Sequence, residues 1–88
     1  MFAENDREWE ILQVGGTKKG RYLLFRIRFE KAVRFMIYIE ATSGECALEC
    51  TDMNESDARA CFTRMVNGEL APCHLRDWLR DETLALFI

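Results

Sequence analysis

Two adjacent stretches, "RYLLFRIRF" at 21–29 and "AVRFMIYIE" at 32–40, alternate with a period of two and are separated by only a short gap. A gap that short leaves no room for a crossover, so the two must pair as antiparallel strands. In the first stretch Leu23, Phe25, Ile27 and Phe29 fall on one side, and Tyr22, Leu24, Arg26 and Arg28 on the other. The all-apolar set is expected to face the core. In the second, Val33, Phe35, Ile37 and Ile39 read as inward, and Arg34, Met36, Tyr38 and Glu40 as outward. "REWEILQV" at 7–14 comes before and "CALEC" at 46–50 after, set off by "GGTKKG" and "ATSGE". In the last segment Cys46, Leu48 and Cys50 share a side opposite Ala47 and Glu49. Together the four segments read as a meander with tight turns. "GGTKKG" lacks the spacing of a phosphate-binding loop and opens no helical pattern, so it reads as a hairpin loop.

After Asp52 the apolar period changes. Ala58, Cys61, Phe62, Met65 and Val66 fall at i, i+3, i+4, i+7 and i+8, the stripe of an amphipathic helix. Asn54 or Ser56 can cap its start, Asn67-Gly68 suits its end, and Glu55 stands four residues before Arg59 in the favourable order. A second helix is expected from Pro72, with Leu75, Trp78, Leu79, Glu82 and Leu86 on its inner stripe and Arg76, Asp77, Arg80 and Asp81 outward. One sheet face needs cover and two helices need a surface, so the expected fold is α+β: a two-layer ββββαα sandwich, residues 1–88 as a single domain. The apolar ending, Leu84, Leu86, Phe87 and Ile88, is expected at a sheet edge or against a second chain.

With 88 residues, a hydrophobic fraction of 49% and ten aromatic side chains, the chain can build a packed core, though a domain this small buries only roughly 60–65% of its unfolded surface. No apolar run reaches the ~20 residues of a membrane span. The polar, acidic start "MFAENDREWE" lacks the order of a secretory signal, so the expected compartment is the cytoplasm, and the four cysteines are then expected as free thiols. Charge is uneven. Residues 15–34 carry a balance of +6 and residues 40–88 one of −6 within a total of −3. Mutual attraction of the halves within one fold is the simpler reading, and recognition of an acidic partner the sharper one.

Cys73 and His74 invite a thiolate–imidazole reading. Neighbours on a helix point about 100° apart, however, so they form no dyad by themselves. Cys46 and Cys50 lie four strand steps apart, roughly 13 Å, too far to share a zinc ion. A Cys46/Cys61/Cys73/His74 cluster across the sheet–helix interface is the remaining metal arrangement, and inward cysteines ordinarily act as small apolar residues. Asp77, Asp81 and Glu82 alternate with arginines as a solvated face does. The chain is therefore expected not to be an enzyme, and no catalytic residue, metal or cofactor is assigned.

The outward face of the sheet is the candidate site. Tyr22, Arg26, Arg28, Arg34, Met36 and Tyr38 are expected to lie together on it if the middle strands pair. Tyr, Met and Arg are enriched in protein interfaces. The expected function is a small non-catalytic interaction or regulatory domain acting through that face. A homodimer would hide Tyr22, Leu24, Met36 and Tyr38. The alternative is a single-stranded nucleic-acid module that stacks bases on Tyr22 and Tyr38 beside the arginines; the acidic pI near 5.1 runs against it.

The segment "DARACFTRMVNGELAPCHLRDWLRD" resembles the closing part of a family of short bacterial proteins of unknown function from anaerobic Gram-positive species. The resemblance rests on the Asn67…Leu70 turn, Pro72, His74-Leu75 and the Asp77…Asp81 spacing, about the last third of the chain. It implies a small cytosolic α+β domain and carries over no catalytic residue.

Overall fold

The computed structural model of the chain describes residues 7–85. Strands β1 (Arg7–Thr17), β2 (Gly20–Phe29), β3 (Ala32–Ala41) and β4 (Cys46–Thr51) form one antiparallel sheet in sequential order. Helix α1 (Glu55–Asn67), a single 3-10 turn at Pro72–His74 and helix α2 (Leu75–Ala85) follow and cover one face. The fold is the expected α+β meander with two C-terminal helices.

Turn length decides which face each strand offers. Phe29 pairs with Ala32, so only Glu30 and Lys31 form the β2–β3 turn, Glu30 with a φ of 58°. A two-residue turn sets odd positions of β2 opposite even positions of β3: Leu23 with Tyr38, Leu24 with Ile37, Phe25 with Met36. Directly opposed residues share a face, and a one-residue change of register flips a whole strand. The expectation that the all-apolar set of β2 faces the core is therefore inverted. Tyr22 and Leu24 point into the core, while Leu23, Phe25 and Ile27 lie on the face away from the helices. The side chain of Phe29 lies outside the described residues. β3 is oriented as expected, with Phe35, Ile37 and Ile39 buried, although Val33, read as inward, is exposed beyond the helices.

β1 contains a bulge. Its register with β2 shifts between Ile11 and Gln13, which leaves Leu12 as the extra residue. Leu12 packs against the core, and the shift keeps Trp9, Ile11 and Val14 together on the face away from the helices.

The core lies between the sheet residues Tyr22, Leu24, Phe35, Ile37 and Ile39 and the helical residues Ala58, Cys61, Phe62, Met65, Leu75 and Leu79. The α1 stripe is the one its period gives. Asn54 caps α1 by accepting the Asp57 amide at 2.8 Å, and Glu55 pairs with Arg59 at 2.9 Å. Burial raises the Cys61 thiol to about 12, as the thiolate would lose hydration without a partner. At Gly15 a Cβ would sit 2.7 Å from a methyl of Val66, so α1 approaches β1 closely there. The Tyr22 hydroxyl donates to the Leu70 carbonyl at 3.0 Å and ties the sheet to the chain reversal between the helices. Glu69 makes that reversal with a φ of 53°. Pro72 occupies the first position of its turn, as expected. Cys73 is exposed. Residues 86–88, expected at a sheet edge or a second chain, lie outside the described residues; Leu84 is exposed.

Candidate interaction face

The sheet has two unlike sides. A 13-residue α1 spans only about 20 Å, whereas ten-residue strands run about 33 Å. The helices cover the end of β2 that carries Tyr22 and Leu24 and stop short of the end that carries Arg26 and Arg28. There the two arginines pair across the strands with Glu10 and with Glu8, the latter at 3.6 Å. This is a wet charged ladder on the helix-bearing side.

Tyr22, Arg26 and Arg28 thus lie on one side of the sheet, and Arg34, Met36 and Tyr38 on the other. The six residues expected to form one surface are divided by the sheet itself. Tyr22 is 1% exposed, so its ring is part of the core and does not meet solvent. The reason is the turn register: only the β3 members were on the expected side.

What joins Arg34, Met36 and Tyr38 is an apolar surface that β1, β2 and β4 complete. β1 contributes Trp9, Ile11 and Val14, which are 63%, 46% and 69% exposed. β2 contributes Leu23, Phe25 and Ile27, and β4 contributes Leu48 with Cys46 and Cys50. Trp9 and Phe25 meet edge to face, their ring centroids 5.9 Å apart. A shallow groove of about 280 Å³ runs over Trp9, Phe25, Ile27, Met36 and Leu48 and so touches all four strands. Isolated exposed apolar side chains are ordinary, but a contiguous field of this kind on one face is not.

The described ion pairs on this face sit at its two ends. Arg21 pairs with Glu40 at 2.7 Å at one end, and Arg34 pairs with Asp52 at the other. Elsewhere Lys19 meets Glu69 at 3.7 Å. The basic and acidic stretches of the sequence meet within the fold, as the simpler reading of the charge pattern had it. Loss of hydration among its neighbours pushes the Tyr38 phenol above its ordinary value, with smaller contributions in the same direction from Cys46 and Glu40.

Cys46 and Cys50 are exposed on the face away from the helices, and Cys61 is buried on the opposite side, so these cysteines do not converge. Among the described residues no group of three or more His, Cys, Asp or Glu side chains is placed to hold a metal ion. No described helix is long and apolar enough to cross a membrane. The sequence reading missed Trp9, Ile11, Phe25, Ile27 and Leu48 as surface residues. Their signal was the apolar content of both sides of β2, more than one buried face can use.

No protein-family model, curated protein or solved structure matches this chain.

Proposed function

We propose that this domain is a non-catalytic protein-interaction module that acts through the face of the sheet away from the helices. The carrying observation is the continuous apolar field from Trp9 through Phe25 and Met36 to Leu48, aligned across four strands by their register. Apolar surface of this extent favours removal from water at about 25 cal/mol per Å², and aromatic, Met and Arg side chains are those that interface centres use. Nucleic acid would call for unpaired cations along a stacking surface. Arg21 and Arg34 at the ends of this face are matched by Glu40 and Asp52, which supports protein as the partner class.

A photo-crosslinking amino acid placed at Phe25 tests the reading in cells. A discrete protein adduct is expected from that position and none from Ala60, which is exposed on α1. Equal labelling from both positions, or a nucleic-acid adduct from Phe25, would overturn it.

A further inference from the structure

We infer that the occupant of the open face is a second copy of this chain, packed sheet against sheet. The inference rests on the interaction role proposed for that face and adds the partner's identity.

Three features favour a copy over a different protein. The first is charge. Among the described side chains each end of the face carries one matched pair, Arg21–Glu40 or Arg34–Asp52, so these charges neither select a charged partner nor repel a second copy of themselves. The second is area. Three strands at least about 33 Å long and a fourth of six residues, about 20 Å, all about 4.8 Å apart, outline somewhat under about 600 Å² in projection. Side-chain relief raises this towards the roughly 800 Å² per partner of a standard stable interface. The slab is 18 Å thick, one sheet plus one helical layer. Two slabs stacked at the ~10 Å spacing of sheets give a helix–sheet–sheet–helix sandwich with both apolar faces inside.

The third feature is the unequal bulk of the two edges. The β1 edge presents Trp9 and Ile11, and the β4 edge presents Cys46 and Cys50 around Leu48. A two-fold axis parallel to the strands, between β2 and β3, lays the bulky edge of each copy over the slight edge of the other. In the row of Ile11 and Cys50 a large residue then opposes a small one, as a close-packed layer needs. Ile11, Phe25, Met36 and Cys50 form one row across the sheet. Under this axis the row meets itself reversed, with Phe25 over Met36 and Ile11 over Cys50 of the second copy.

The thiols serve as native reporters. In the wild-type protein, maleimide labelling of Cys46 and Cys50 is expected to slow severalfold as protein concentration rises, while Cys73, exposed on the helical side, labels at one rate throughout. Sedimentation over the same range is expected to reach twice the 10.3 kDa of one chain. Phe25→Asp, with Met36→Glu as a second variant, is expected to halve that mass. For the orientation, a two-carbon bismaleimide is expected to join Ile11→Cys of one copy to Cys50 of the other. Within one chain those positions are three strand spacings apart, about 14 Å, beyond its reach.

A wild-type protein that stays at one chain's mass at every concentration, with Cys46 and Cys50 always reactive, overturns the second copy. A dimer that both variants leave intact overturns this face as its interface. A crosslink that joins Ile11→Cys to another residue overturns the two-fold. The adduct from Phe25 described above separates these failures from failure of the interaction role: a monomer that still yields an adduct with another protein loses only the self-association.

Discussion

Leu24 and Phe25 are adjacent in the chain, and both are large and apolar. Leu24 is fully buried beneath the helices, while Phe25 lies half-buried on the open face beside Trp9. The two faces of this sheet differ little in hydrophobicity over their central rows. They differ in what covers them. The helix-bearing face is closed by Phe62, Met65, Leu75 and Leu79, and where the helices end it becomes the charged ladder of Glu8, Glu10, Arg26 and Arg28. The open face stays apolar across all four strands, and among its described side chains the ion pairs lie only at its ends. A surface meant for water follows the pattern of the first face beyond its helices. The second does not follow it, and this contrast motivates the interaction role.

The largest expected effect comes from putting the same charge on each of the two neighbours. Leu24→Asp buries a carboxylate with no partner and removes core volume. It is expected to cost more than about 4 kcal/mol, enough to unfold a domain of this size. Phe25→Asp is expected to keep the far-ultraviolet circular dichroism and lose association. The same contrast holds one strand over for Phe35→Glu and Met36→Glu. If Phe25→Asp unfolds the chain as fully as Leu24→Asp does, the two faces are not the separate surfaces described here.

Gly15→Val tests the helix-bearing face by overpacking it. The added side chain meets Val66 of α1, and a loss of roughly 1–3 kcal/mol in urea unfolding is expected. A matched substitution at Gly16, where an added Cβ meets nothing, is expected to cost well under that.

The cysteines sharpen the comparison through pH. Cys61, under the helices, has its thiol raised from an ordinary value near 9 to about 12 by burial. Its raised value means the native state holds this proton where the unfolded state releases it. The stability it contributes is therefore fully present below about pH 9 and is lost as pH climbs towards about 12. Cys61→Ala is expected to flatten part of that alkaline slope in unfolding experiments between pH 8 and 11. A slope unchanged by the substitution would assign the alkaline loss to other groups.

The smallest effect is expected on the exposed ladder. Arg26→Ala breaks its pair with Glu10 in water, and a change within about 1 kcal/mol is expected by thermal denaturation.

Much of the architecture was legible in the residues. Period two over β2 and β3, the short gap between them, and the change to a helical stripe at Ala58, Cys61, Phe62 and Met65 each reflect local geometry. That is why element order, meander topology, a cap at Asn54 or Ser56 and the Glu55–Arg59 pair followed from the sequence, and the structure chose Asn54. The candidate face was only half legible. Arg34, Met36 and Tyr38 were placed correctly because β3 has one clearly apolar side. β2 has two, Tyr22 with Leu24 and Leu23 with Phe25 and Ile27, and local pattern cannot rank them. Two tertiary facts did so: a turn of two residues, Glu30 and Lys31, and a bulge at Leu12 that brings Trp9 and Ile11 onto the same side as Phe25. The sequence by itself determined which segments are strands and which are helices, since that depends on contacts a few residues apart. Which apolar stripe became core and which became surface was decided only by register and helix placement, because a strand offers both of its faces equally until another layer covers one of them.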